Sequence, residues 1–432
     1  MKQLRNFILV LFAIFGFSSS VDASNIKANV AVRKLTPPLE IGYTLGGYGA
    51  RMSEPAKGIH DDIWAKALVL DDGEKKYAII TLDILGLPPN VKPQIIARLN
   101  NEKWTEENIM FLPSHSHSSL EMFALNDKNI FDMAPIGIFQ QELLDYVVKS
   151  LATLIESADQ NLKPVKIGTQ SKQVEGLNRN RRGEPFVDKD LTVTRIDYLD
   201  GKPMTVLVNW TGHPTIMDEH DMFVSGGWPG YLQRELEAWI GEGVIAMYYN
   251  GSQGDQSVIA KSAGSHHEKA ENYGRIIAIE VIDVYNEIKA SKKIEFSYNH
   301  KIIQLPDQQA HPEFMDTGGK EYGLNEENIM ALLNQVFPEK TTIGAVRLGD
   351  LLIVGAPGEL IAELGLNIKE ELKLKGIKYP VIGGLANQWI SYILSEDQYE
   401  KSGYEASTSF YGKDLGAVVV KGMMDTALPL TE

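Results

Sequence analysis

The chain has 432 residues, 44% of them hydrophobic, a formal net charge of −15 and no cysteine. That charge disfavours nucleic acid and anionic membrane surfaces as partners. The lack of cysteine excludes disulfides, so the core must be large enough without staples, and any metal must be held by His, carboxylate or Tyr.

Taken in chain order, residues 1–23 read as a signal peptide. Lys2 and Arg5 precede an apolar run from Phe7 to Phe17, and Val21 and Ala23 fit positions −3 and −1 of a cleavage site. The run is well short of the roughly 20 residues that span a bilayer. The expectation is export to the periplasm or beyond, without stable membrane insertion, leaving residues 24–432 as one catalytic domain.

Within that domain, "AKALVLDD" and "KYAIITLDI" flank the turn "DDGEKK" and predict a hairpin. "NIMFL" predicts a buried strand running into "PSHSHSS". "FQQELLDYVVKSLATLIESA" places Leu143, Leu144, Val147, Val148, Leu151 and Leu154 at helical spacing. A second hairpin follows in "LTVTRIDYL" and "MTVLVNW", then a helix in "GYLQRELEAWIG". "VIAMYYNGSQGD" reads as a strand entering a Gly-rich loop, and "ENYGRIIAIEVIDVYNEIK" as a long helix. "PDQQAHPEFMDTGGKEYG" lacks periodicity and reads as a surface insertion or lid; "GAVRLGDLLIVGAPGE" is a third hairpin. No linker or repeat divides the chain. The fold expected is α/β, with mixed β-sheets flanked by α-helices.

Polar residues gather at strand ends. His115 and His117 are two positions apart, which on a strand puts both rings on one face. His213 follows "MTVLVNW" and precedes Pro214; Gly251 and Gly254 offer backbone N–H groups to a ligand; Glu359 stands at the head of an expected helix. Two His, one Glu and an open position make the donor set of a hydrolytic zinc site, with a spare His as general base. Spacing alone does not choose among the nine histidines, and His60, His266, His267 and His311 stay open. "NGSQG" approaches a serine-hydrolase elbow, with Asp255 and His266 or His267 downstream. Asn250, however, stands where its first Gly belongs.

Together, "LGGYGARM", "SHSHS", "LNRNRR", "GHPT", "NGSQGD-S", "PGEL" and "GGLANQWISYILSEDQYEKSGYEASTSFYG" resemble the neutral/alkaline non-lysosomal ceramidase family, in order from about residue 28 onward. The resemblance implies a zinc-dependent amidohydrolase cleaving the N-acyl bond of ceramide or a related lipid. The alternatives are a smaller amide, ester or glycan-derived substrate on the same scaffold, or a binding protein with a degenerate site. It implies His115, His213, Glu359 and Tyr392 as ligands of one Zn2+, with an additional structural Ca2+ or Mg2+ left open. It implies His117 as proton carrier, Ser257 as a polar contact and Tyr404 as an oxyanion donor. Arg179 best matches the active-site arginine, with Arg181 and Arg182 as alternatives. The expectation is the catalytic domain alone, without the family's C-terminal immunoglobulin-like domain.

Overall fold

Strands that are apolar on both faces need cover on both sides, and here the cover comes in four layers. The computed structural model describes residues 26–432, so the expected signal peptide lies outside the described residues. An eight-stranded sheet packs face to face on a four-stranded sheet, and helices cover the outer face of each.

The strand Trp64–Asp71 shows how residues sort between layers. Ala65, Ala67 and Val69 pack toward the helix Gln141–Ala158, whereas Leu68 and Leu70 join Ile353 and Val381 of the small sheet. This is the period-2 alternation of a strand with an apolar residue in both phases. The two hairpins of the large sheet form as expected. Trp64–Asp71 pairs antiparallel with Lys76–Leu82, and Asp190–Tyr198 with Pro203–Asn209. Helices Gly227–Ile240 and His266–Glu287 cover the remaining outer face. The small sheet runs Phe296–Gln304, Lys340–Leu348, Leu351–Gly355, Tyr379–Gly383 and is covered by Ala362–Leu374 and Leu415–Ala427.

The large sheet consists of two halves joined by only two residue pairs, Lys27–Pro164 and Ala28–Lys163. Chain segments leaving strands of both halves meet: the Asn250 amide, after Ile245–Tyr249, donates to the carbonyl of Ser114, after Ile109–Pro113, at 3.2 Å. The candidate site forms there. The aperiodic stretch after Leu305 forms a 3-10 turn, Phe314–Asp316, and a short helix, Gly318–Tyr322. Phe314 is fully buried, so this segment is a wall of the molecule rather than a surface excursion.

Candidate metal centre and its cavity

The strand Ile109–Pro113 stops short of the two histidines. His115 takes a left-handed conformation, φ 70°, which a residue with a Cβ adopts at a cost. Strand alternation therefore does not bring the rings together, as the sequence suggested. A strained turn does, setting His115 and His117 edge to face with centroids 4.8 Å apart.

His213 completes the group. Its Nε2 lies 3.1 Å from Nε2 of His115 and 3.1 Å from Nε2 of His117. Its backbone is held by an N–H···O bond to Gln256 and a bridge to Ser257. Glu359 reaches the same point, with Oε2 3.4 Å from His115 Nε2 and 3.7 Å from His213 Nε2. Glu359 is not at a helix head. It lies in a two-residue strand, Glu359–Leu360, paired in parallel with Tyr392–Ile393, and the helix begins at Ala362. This register sets Glu359 directly opposite Tyr392.

Two imidazoles are fixed from behind. His115 Nδ1–H donates to the Leu85 carbonyl at 2.6 Å, and His213 Nδ1–H to that of Gln253 at 3.3 Å. With Nδ1 protonated, each Nε2 carries a bare lone pair. Bare lone pairs 3.1 Å apart repel unless a cation lies between them. Glu359 Oε2 is buried without a hydrogen bond, while Oε1 accepts from Trp389 Nε1 at 2.9 Å. Burial, then the neighbouring positive groups, pushes His117 and His213 well below the ordinary imidazole range. Burial raises the Glu359 carboxyl, but His115, Trp389 and Arg181 outweigh it and hold it below its usual value. Neutral imidazoles and an ionised carboxylate are the protonation states in which these groups bind a metal. The residues fit a divalent cation.

The arginine assignment needs correction. Arg179 is exposed, on a strand whose backbone pairs with Ser257. Arg181, two residues on, points inward. It donates to the Tyr392 hydroxyl at 3.0 Å and to Glu405 at 2.6 Å, and its guanidinium lies over the rings of Tyr392 and Tyr404. Arg182 anchors the neighbouring turn through Glu405, Gln398 and Ser402. In the extended strand Asn178–Asn180 an exposed arginine faces opposite to its buried neighbours, and the chain must leave the strand before an arginine can turn inward.

Ser257 sits beside His213 through backbone only, and its side chain is not part of the cavity wall. Tyr404 lines the cavity, its hydroxyl 3.5 Å from that of Tyr322. Burial raises the phenols of both Tyr392 and Tyr404, so both stay protonated in the absence of a cation.

The Gly-rich loop also differs from expectation. A Cβ on Gly254 would lie 2.6 Å from the Glu359 carbonyl, and one on Gly251 2.1 Å from Thr211 Oγ1. These glycines admit protein backbone and side chain, not a ligand. Asn250, which spoils the serine-hydrolase motif, holds the centre together. Its amide donates to the carbonyls of Ser114 and Gly212, and its oxygen accepts from Gly212 N–H. Each partner immediately precedes a cluster histidine. The triad does not assemble: Asp255 is bound to Ala362, Gln256 and Asn180, and His266 to Asp221. Asn250→Ala is expected to lower stability by about 1–3 kcal/mol, because two buried carbonyls lose a partner. Denaturant titration with and without added zinc measures this, and the loss should grow with the cation present, because a centre that is no longer held together binds it more weakly.

The other open histidines lie elsewhere. His60 and His267 stack at 3.8 Å beside Asp61, and His266 pairs with Asp221 near Asp218. Asp61 is already engaged by Ser225, Gly226 and Arg234, and Asp221 by the Asp218 N–H and His266. His311 caps a turn by accepting from Glu313 N–H.

The cluster opens into a cavity of about 770 Å³, mouth included. Its wall is mainly apolar, with Leu85, Met122, Phe123, Ile136, Phe314 and Phe337 prominent. His115, His117, Glu359, Tyr392 and Tyr404 supply polar atoms. Among the described residues, no helix is long and apolar enough to cross a membrane.

Residues 36–270 match the family model for neutral/alkaline non-lysosomal ceramidase, N-terminal. The neutral ceramidase of Pseudomonas aeruginosa is 21% identical, over 89% of this chain and 69% of its own length. Neutral ceramidase B of Dictyostelium discoideum is 18% identical, over 90% and 68%. The crystal structure of the P. aeruginosa enzyme superposes with a TM-score of 0.81 at 18% identity, covering 95% of this chain and 75% of that one. A ceramidase complexed with C2 gives 0.80. The likeness shows the fold to be that of these proteins, and the expected α/β class with mixed sheets holds. By the extent of the family match, this chain belongs to the neutral/alkaline non-lysosomal ceramidase family.

Proposed function

We propose that the protein is an exported, zinc-dependent amidohydrolase that cleaves the N-acyl bond of ceramide or a related N-acyl lipid. The observation that carries this reading is the convergence of three imidazoles and a carboxylate at one point, with His115, His117 and Glu359 lining an apolar cavity. Relatives are named as neutral ceramidases, and one solved relative is a ceramidase complexed with C2. The apolar wall favours an acyl chain over a smaller amide, ester or glycan-derived substrate.

His115, His213 and Glu359 would hold the cation, with Tyr392 beside Glu359 as a further oxygen donor. Nitrogen and oxygen donors of this kind suit zinc. When bound, such a cation lowers the pKa of water and polarises a carbonyl oxygen. The protein's own groups divide the remaining work. His115 and His213 are locked by carbonyls, as ligands are. The His117 Nδ1 has only a weak interaction with the Gly47 backbone, so its ring is held less firmly in one tautomer. It can accept a proton at Nε2 and pass one to the leaving amine. Tyr404, kept protonated, presents an O–H to the developing oxyanion. Arg181 fixes the two phenols by lying across both rings.

A panel of N-acyl amines tests this reading by measuring released amine. Turnover of long-chain N-acyl lipids, with acetyl compounds poorer, is expected; a preference for acetyl or for esters would count against it. Export predicts that protein recovered from the cell envelope or medium begins at Ser24.

A further inference from the structure

One carboxyl in the cavity wall has no part in the centre. Glu121 is, with Glu359, one of two acids lining the cavity, and its surroundings are Met122, Phe123 and Ile136. Its position is imposed by packing. The Glu121 N–H donates to the Thr44 carbonyl at 3.1 Å. A Cβ on Gly137 would lie 2.8 Å from its Cγ, and one on Gly46 3.1 Å from its Oε2. Oε1 accepts from Phe123 N–H at 3.0 Å. The nearest cation, Arg51, acts only from a distance, because its guanidinium is occupied by the carbonyls of Gly46, His117, Asp218 and Asp221. An acid among apolar side chains, without an ion-pair partner, is costly unless something else bonds to it. Burial raises this carboxyl to about 7, so near neutrality it is present both as donor and as acceptor.

Resting on the amidohydrolase reading, we propose that Glu121 is a specificity-determining residue that hydrogen-bonds a hydroxyl of the lipid substrate. The apolar wall accepts hydrocarbon without regard to its detail. A polar group placed in that wall discriminates, because a substrate lacking the hydroxyl leaves the carboxyl with its backbone donors alone and apolar chain against its remaining hydrogen-bonding positions. The hydroxyl is carried either by the acyl chain or by the amine portion, and both present the same chemistry to Glu121.

The test compares wild type, Glu121→Gln and Glu121→Leu, each full-length and zinc-loaded, on matched N-acyl lipids. One pair differs only in a 2-hydroxyl on the acyl chain, the other only in the hydroxyls of the amine portion. Wild type should favour the hydroxylated member of one pair by about 10–100-fold in kcat/KM. That pair identifies the source. Glu121→Leu should bring the ratio close to one, chiefly by gaining on the deoxy substrate, and Glu121→Gln should keep part of it. A ratio unchanged in Glu121→Leu, or equal to one for both pairs in wild type, overturns the assignment. Should wild type turn over neither pair, the amidohydrolase reading fails and calorimetric binding of the same lipids decides. A Kd ratio lost in Glu121→Leu still supports Glu121 as the hydroxyl reader, and equal Kd values overturn it.

Discussion

Replacing His117 by Ala is expected to leave the cation in place and lower kcat by about 10²–10⁴-fold. The expectation follows from an asymmetry among three imidazoles that share one point in space. His115 and His213 are each tied through Nδ1 to a backbone carbonyl, whereas His117 has only a weak interaction with the Gly47 backbone. A proton carrier must change its protonation during turnover, and a ring held in one tautomer does so at a cost. The pH dependence follows with its sign. Burial, then His115 and Arg51, lowers the His117 pKa well below 6.5, so the basic form persists into mild acid. The acid limb of kcat/KM attributable to His117 should therefore fall well below pH 6.5 and vanish in the variant. Loss of zinc from His117→Ala, measured by elemental analysis, would make His117 a ligand instead.

Substituting Gly47 should cost nearly as much without removing any catalytic group. Its φ is +94°, and a Cβ there would lie 2.2 Å from His117 Nδ1 and 2.7 Å from Cγ. Gly47→Ala must push the ring aside, and a displacement of about 1 Å can cost 10²-fold in rate. Gly73 supplies the control, since it has φ +96° and open space around its Cβ position. Gly73→Ala meets the same backbone strain and should lower the melting temperature without affecting kcat. Equal kcat in folded Gly47→Ala and wild type would show that the His117 ring position does not limit the rate.

These two variants also show what could be read in the sequence. Hairpins and long helices were legible because their apolar periodicity is local: Leu143, Val147, Leu151 and Leu154 fall on one face whatever packs against them. The residue types of the centre were legible as polar residues interrupting apolar runs. The geometry was not. His115 and His117 converge through a left-handed turn rather than along a strand, and nothing in "PSHSHSS" announces a positive φ at a histidine. Arg179 and Arg181 are two residues apart in "LNRNRR", and only the end of strand Asn178–Asn180 decides which turns inward. Asn250 looked like a defect in a serine motif, yet it joins the His115 and His213 loops. Glu405, which holds both Arg181 and Arg182, carries no signal in "GYEAST" beyond its charge.

Anomalous scattering at the zinc edge, recorded from crystals of the purified active protein, tests the central claim most directly. A single strong peak is expected between His115 Nε2, His213 Nε2 and Glu359 Oε2, disappearing together with amide hydrolysis when zinc is chelated. An active crystal with no metal peak among those three atoms would contradict it.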